Sequence, residues 1–462
     1  MDTLSPQERK TMDTLSAIDT NHEELAKSLA DQGVRYMLGS WVDILGRARA
    51  KATPLDTLPE LLSGYARYTP RGICGIGTTN PVEEEVTSIP DPSTVTILPW
   101  DRRFAWMAAD MWSDKGEPSE LCPRSILKKQ IDKAAAQGYA ATLGVEPEFY
   151  VFRRESLEPG VDSLIPVSHA AYVQPSPAYD VETLLDSADF LETMVDYMSE
   201  IGLEVYGFGA EGGVGQYEID FYYKSILDMA DRMVLFRLMT HQVAKQHGLE
   251  ASFMPKPYDN VWGSGNHFNM GLYSTTGEKK NVFRDGKEWS AECRAFTAGI
   301  LKHSRALTAL SNPLVNSYKR LVPRLPDGSV SWAPIKISYG HNNRSCMIRL
   351  PENRPCIENR TVDPAANPHL VGAFMLAAGM EGIRNNLDPG EPADTLTYSD
   401  DEIPTLPRTL IDAVEAFEKD PLVHEVFSPG FIRDYVDTKR GEWENSHLPV
   451  SQAERDRYLL TT

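Results

Sequence analysis

Four short segments of the chain set acidic side chains beside glycines or in strand-like runs: Gly144-Val-Glu146-Pro-Glu148-Phe149, Glu211-Gly-Gly-Val-Gly-Gln216-Tyr-Glu218, Gly263-Ser-Gly-Asn-His267 and Ile357-Glu358-Asn-Arg360. Five carboxylates and one imidazole, with no cysteine among them, suit a hard divalent cation such as Mg²⁺ or Mn²⁺ better than structural zinc. Such a cation could hold a nucleotide phosphate.

In Val145-Glu-Pro-Glu-Phe-Tyr-Val151 the two-residue period of a strand puts Glu146 and Glu148 on one face and Val145, Pro147, Phe149 and Val151 on the other. The same period pairs Glu218 with Asp220, and Glu211 lies seven residues before Glu218 across a glycine turn. A solvated sheet face carrying ordinary surface glutamates remains an alternative, as does a hydrogen-bonded structural role for His267. Arg320, Arg344, Arg349 and Arg360 supply forked cations that suit carboxylates and transferring phosphoryl groups, although each could instead serve a surface or ion-pair role. The stretch Gly207-Phe-Gly-Ala-Glu-Gly212 matches a dinucleotide motif in spacing but continues as a strand, so it is rejected. There is no phosphate-binding loop or kinase signature, so if ATP is bound it is held by metals and arginines.

The elements that position these residues read as α+β. A helix is expected over Glu23 to Gln32, then alternating segments Arg35 to Asp43 and Arg47 to Lys51 around a turn at Gly46, and a strand from Phe104 to Met111. Residues 1–20 read as a flexible tail with a duplicated Met-Asp-Thr-Leu-Ser, residues 21–112 as a small β-rich domain, and residues 113–462 as the larger domain. Helical patterns there cover Ile126 to Ala136, after a first-turn Pro123, then Val181 to Ile201, Ser225 to His247, Ala291 to Leu310 and Pro368 to Asn386.

Composition excludes several classes. A formal charge of −20 repels nucleic-acid backbones and anionic lipid. The longest apolar run, Val371 to Met380, is about half a membrane span. Five scattered cysteines without a Cys-x-x-Cys pair argue against a disulfide framework, and a reducing cytoplasm fits best.

From about Val34 to Leu459 the chain resembles glutamine synthetase and its relatives that join glutamate to amines. The matching motifs are Asp91-Pro-Ser-Thr94, Pro99-Trp100, Cys122-Pro-Arg-Ser125, Glu146-Pro-Glu-Phe149, Gly215-Gln216, Phe253-Met-Pro-Lys-Pro257, Gly263-Ser-Gly265, Asn316-Ser-Tyr-Lys-Arg320 and Asp363-Pro-Ala-Ala-Asn367. The resemblance implies a β-grasp N-terminal domain, a catalytic domain with a curved antiparallel sheet flanked by helices, and rings of subunits, typically dodecamers, that share active sites. It makes Glu148, Glu211 and Glu218 ligands of one metal, and Glu146, His267 and Glu358 ligands of a second that engages ATP. It assigns Arg344 and Arg349 to the transferring phosphate, Arg320, Arg360 and the Gly263 backbone to glutamate, and Glu148 to the substrate side of the site. Asp43 from a neighbouring subunit, Glu211 and Tyr172 match the family's ammonium-site residues.

Departures cluster around the nucleophile and the nucleotide. The segment after Leu321-Val-Pro carries no flap glutamate and reads Arg324-Leu-Pro-Asp327-Gly-Ser-Val-Ser-Trp332, leaving Asp327 as the only acid that could substitute. Trp262 stands where an asparagine is expected and Asn269 where a second histidine is. Cys356 replaces an arginine whose place Arg354 could take, so Asn269 and Arg354 join the nucleotide-contact set. Apolar groups in place of cation-binding ones suit a carbon-bearing amine, each buried methylene contributing about 0.8 kcal/mol. The expected reaction is ATP-dependent ligation of glutamate to a primary alkyl or aryl amine, with Trp262 and Trp332 bounding the amine pocket. The alternatives are glutamine synthetase using ammonia, a γ-glutamyl polyamine synthetase, and a structural pseudoenzyme.

Overall fold

The computed structural model describes residues 22–74, 82–158, 161–167, 177–277 and 280–460. Tyr172 and the N-terminal tail fall outside them. Two sheets organise the chain. The first has seven strands: β1 (Tyr36–Val42), β2 (Ala48–Arg49), β3 (Ala52–Pro54), β4 (Arg67–Tyr68), β5 (Val86–Pro90), β6 (Thr96–Ile97) and β7 (Phe104–Ser113). Its order is β2-β1-β7-β5-β4, with β3 on β1, β6 on β7, and β1 parallel to β7. Gly46, with φ of 79°, makes the left-handed turn between β1 and β2 that its sequence position suggests. The expected first helix spans 22–31. Its Leu25, Ala26 and Leu29 pack on a small core with Met37, Leu58, Leu61 and Met107.

The second sheet is built on one long strand, β8 (Tyr139–Glu158), which pairs with β9 (Val161–Pro166), β11 (Gln216–Phe221), β12 (Lys224–Ser225), β13 (Leu249–Ser252) and β14 (Asn266–Ser274). Outside these lie β10 (Val205–Ala210) on β11, and β19 (Ile357–Asn359), β18 (Ile348–Leu350) and β17 (Tyr339–His341) beyond β14. All pairs are antiparallel except β17 with β18, so the expected antiparallel sheet ends in one parallel pair. A hairpin of β15 (Arg284–Asp285) and β16 (Glu288–Trp289) stands apart.

One face of this sheet is covered by helices. Phe149 and Val151 of β8 are fully buried, and Phe149 packs with Phe190, Phe236 and Phe253 in an aromatic cluster. The helix Pro123–Ala135 starts at the expected proline, and Ile226–Gln246 and Pro368–Arg384 follow their apolar patterns. Two other patterns are interrupted. Val181 to Ile201 forms two helices, Val181–Leu185 and Ala188–Glu200, because Ser187 turns to share a hydrogen bond with the Tyr217 hydroxyl. Ala291 to Leu310 divides at His303 into Ala291–Lys302 and Ser304–Ser311. The rejected dinucleotide motif begins inside β10, a strand, as expected.

Cys122, Cys293, Cys346 and Cys356 are free and buried. Among the described residues no helix is long and apolar enough to cross a membrane.

An acidic cavity on the large sheet and the family it defines

Strand register brings together what sequence spacing leaves apart. Glu146 and Glu148 point from β8 to the face opposite its buried Val145, Phe149 and Val151. Antiparallel pairing sets His267 of β14 beside Glu146 and Glu218 of β11 beside Glu148, while Glu358 of β19 lies opposite Asn269. The resulting cavity has a volume of about 650 Å³. All six expected metal ligands, Glu146, Glu148, Glu211, Glu218 and His267 at its wall and Glu358 beneath Arg349 and Arg360, gather at this place.

The ligand atoms of Glu146, His267 and Glu358 lie within 4.8 Å of one another, and among the described residues only these three close to such spacing. His267 Nδ1 is 3.3 Å from Glu146 Oε2 and 3.8 Å from Glu358 Oε1. Burial alone would raise the Glu146 carboxyl, but His267 and Arg354 reverse it and hold it at about 2. Glu211 and Glu218 behave oppositely. Burial, then the neighbouring Glu148 charge, pushes Glu211 up to about 8 and Glu218 well above the usual carboxylate range. Like charges directly across a strand pair are destabilising, so this crowding is a place where a divalent cation would be stabilised. The donor set, carboxylates with one imidazole, fits Mg²⁺ or Mn²⁺.

The arginines surround the acids. Glu358 receives Arg349 at 2.7 Å and Arg360 at 2.5 Å, and Arg354 spans Glu146 at 2.8 Å and Glu358 at 3.5 Å. Arg320 is buried, donates to the carbonyls of Thr361 and Arg360, and has its pKa lowered by burial. Arg320, Arg344 and Gly263 also line the cavity. Asn269 is not in the wall; it donates Nδ2 to Glu146 Oε1 at 3.1 Å, so its route to the cavity runs through Glu146.

Trp262 and Trp332 both border the cavity, with ring centroids 6.2 Å apart at 67°. Asp327 does not: it is exposed and accepts hydrogen bonds from the Ser329 amide and hydroxyl within its own turn. Asp43 is also away from the cavity of its own chain, fully buried and accepting from the Leu45 and Arg47 amides and from Arg49. The lining also includes residues without a role assigned from the sequence, among them Tyr179, Tyr206 and Asp220. The period-two step from Glu218 already placed Asp220 on this face. Tyr206 sits on β10, the strand in which the rejected dinucleotide spacing begins.

A carboxylate-lined cavity on a mixed sheet, ringed by arginines and preceded by a smaller curled sheet, defines an ATP-dependent carbon–nitrogen ligase of one particular class. Residues 120–458 match the family described as "Glutamine synthetase, catalytic domain", and the chain belongs to the glutamine synthetase family. It is 35% identical over 431 residues to a protein of Rhizobium meliloti strain 1021 named glutamine synthetase, covering 91% of this chain and 95% of that one. It is 34% identical over 448 residues to a glutamate–methylamine ligase of Methyloversatilis universalis, covering 94% and 98%. The solved GmaS/ADP complex in conformation 1 superposes with a TM-score of 0.86 at 33% identity, covering 94% of this chain and 99% of that one.

Proposed function

We propose that this protein joins the γ-carboxylate of L-glutamate to a primary amine at the expense of ATP, giving a γ-glutamylamide, ADP and phosphate. The observation that carries the amine, rather than ammonia, is the border of the cavity. Two indoles stand at it, and no acid of the segment after Leu321 lines it, Asp327 being engaged in its own turn. The relative named glutamate–methylamine ligase and the GmaS structures support the same reading.

Hydroxide leaves a carboxylate poorly, so the acid must be activated first. A γ-carboxylate oxygen takes the γ-phosphoryl group of ATP, forming γ-glutamyl phosphate and releasing ADP. The amine, having lost a proton, attacks the acyl carbon, and phosphate departs with the C–O electron pair. Divalent cations held by Glu148, Glu211 and Glu218 and by Glu146, His267 and Glu358 would stabilise the charge on the phosphoryl oxygens. Arg344 and Arg349 serve the same charge, and Arg320, Arg360 and the Gly263 backbone hold glutamate. In this reading residues 21–112 form the N-terminal domain and residues 113–462 the catalytic one. Rings of subunits bring Asp43 of one copy to the cavity of the next, in the cytoplasm.

The second reading is glutamine synthetase proper, favoured by relatives of that name at equal identity. Phosphate release from ATP and glutamate with Mg²⁺ or Mn²⁺, measured in parallel with ammonium, methylamine, isopropylamine, aniline and putrescine, separates the two. An alkylamine or arylamine is expected to be preferred; preference for ammonium would give the second reading.

A further inference from the structure

The loop between β18 and β19 is held from outside the cavity by side chains in and beside the small hairpin of β15 and β16. Arg284 donates Nη2 to the carbonyls of Pro351 at 3.0 Å and Glu352 at 3.1 Å, and Asn281 donates Nδ2 to the carbonyl of Pro355 at 2.8 Å. Those carbonyls lie on either side of Arg354 in the chain, so its backbone is clamped from both directions. Pro351 and Pro355 have no N–H to give, so at both ends the loop is fixed through its carbonyls.

The clamp has a firm base. Arg284 pairs across the hairpin with Trp289, its guanidinium carbon 3.4 Å from the ring centroid, and its Nη1 donates to the Lys287 carbonyl at 2.8 Å. One cation–π contact and hydrogen bonds from both terminal nitrogens therefore fix the fork in a single orientation. Asn281 is tied in turn: its Oδ1 accepts from the Phe283 amide at 2.8 Å, and Phe283 is fully buried against Phe296 of the helix Ala291–Lys302. The Val282 amide donates to the Leu272 carbonyl at 2.8 Å, which fastens this segment to β14, the strand that carries His267.

What the loop presents to the cavity is Asn353 and Arg354. Arg354 rests on Glu146 and Glu358 but stays partly exposed, so an anion arriving in the cavity can draw the guanidinium to itself while the backbone remains where the hairpin holds it. On a fixed loop only the side chain must be ordered for that contact; on a loose one the backbone must be ordered as well, and affinity falls. We propose that Arg284, with Asn281, is a positioning residue for nucleotide binding: the pair holds the Arg354 backbone so that its guanidinium meets the phosphates of ATP. This rests on the ligase reading above, which brings ATP to this cavity.

The test uses the full-length protein. ADP with Mg²⁺, titrated calorimetrically, should bind Arg284→Ala at least about tenfold more weakly than wild type, and Asn281→Ala should move in the same direction. In phosphate release with glutamate and whichever of ammonium or the amines is turned over fastest, the KM for ATP should rise by a similar factor. Meanwhile kcat and the KM for glutamate should stay within about twofold, a split that general loss of structure does not produce. Arg284→Lys keeps a cation over the indole but offers no fork for two carbonyls, so its ADP affinity should fall between those of wild type and Arg284→Ala; it serves as the test if the alanine variant does not fold. In an Arg354→Gln background, adding Arg284→Ala should weaken ADP binding by less than about twofold, because the group it positions is already gone. Unchanged ADP affinity in Arg284→Ala, a full further loss in the double variant, or kcat and both KM values shifting together would overturn the positioning role. No phosphate release with ammonium or any amine would overturn the ligase reading, with the role of Arg284 then decided by the ADP titration alone.

Discussion

Arg354 holds a guanidinium nitrogen 2.8 Å from Glu146 Oε1. Its other terminal nitrogen is 3.5 Å from Glu358 Oε2, so one planar fork spans β8 and β19 while Glu146 Oε2 and Glu358 Oε1 stay turned toward His267. Arg349 and Arg360 also pair with Glu358, and three guanidinium groups thus neutralise a carboxylate that a metal would otherwise need to share. Arg354 is the most exposed of the three at 33%, and so the freest to leave.

That arrangement sets two effects of Arg354 against each other. As an orienting group it would favour metal binding by about 10–100-fold, or about 1.4–2.7 kcal/mol. As a cation near a dication it opposes binding by on the order of 5 kcal/mol at an effective dielectric of 20, and halving this for its exposure leaves about 2.5 kcal/mol of repulsion, above the middle of the orienting range. Arg354→Gln is therefore expected to bind Mn²⁺ more tightly in the nucleotide-free protein, by up to about sixfold. Calorimetric titration reads this directly, and weaker binding by the variant would show that orientation dominates.

Gly265 has no room for a side chain. A β-carbon there would meet His267 Nε2 at 2.6 Å, Glu148 Oε1 at 2.8 Å and Arg320 Nη2 at 3.0 Å. Arg320 cannot yield easily, because its guanidinium is fixed to two backbone carbonyls. Gly265→Ala should lower kcat/KM at least about a hundredfold and weaken Mn²⁺ binding, with far-ultraviolet circular dichroism unchanged. Near-normal turnover would mean that the acids are more mobile than their packing suggests.

Much of the acidic wall was legible before any fold was known, because a strand's two-residue period is local: Glu146 with Glu148 and Glu218 with Asp220 needed nothing beyond their own segments. The approach of His267 to Glu146, and of Glu358 to both, depends on register between strands far apart in sequence, and there only the family's order of motifs supplied the grouping. The packing of the Trp262 ring on the Gly212 backbone, where a β-carbon would lie 1.8 Å from Cε3, had no signal at all, since a glycine does not reveal what lies against it. The breaks at Ser187 and His303 were hidden for a related reason. Apolar periodicity continues through both, and the partners that stop the helices, Tyr217 for one and Asp420 with Glu381 for the other, are distant in the chain.

Arg124 joins three parts of the fold. Its guanidinium pairs with Asp91 at 2.9 Å, Asp110 at 3.0 Å and Asp231 at 3.0 Å, linking the loop after β5, the strand β7 and the helix Ile226–Gln246. Arg124, Asp110 and Asp231 are all buried. Lys128 also reaches Asp110 and His369 reaches Asp231, so the acids keep some compensation without it. Arg124→Ala should cost about 3–5 kcal/mol, the usual penalty for leaving buried charge unpaired. Denaturant unfolding should show the loss, and a change below about 1 kcal/mol would mean that Lys128 and His369 suffice.

His303 predicts a stability that falls with rising pH. Its ring is buried at the junction of two helices, Nδ1 donating to Asp420 at 2.8 Å and Nε2 to Glu381. Burial disfavours the imidazolium, but the hydrogen bond and charge of Asp420, then those of Glu381, outweigh it and raise the pKa above its ordinary value near 6.5. A folded-state pKa above the unfolded one means that the protonated ring stabilises the fold fully below about pH 6.5 and loses that contribution as pH climbs through the folded value. The two charge-assisted hydrogen bonds are worth about 1.5–3 kcal/mol each when intact. The melting temperature of wild type should therefore exceed that of His303→Gln most at pH 6, with the gap narrowing steadily toward pH 9. Thermal melts of both proteins across that range check it, and a gap that widens with pH would mean that the ring is neutral in the fold and that the carboxylates are held by Lys302 instead.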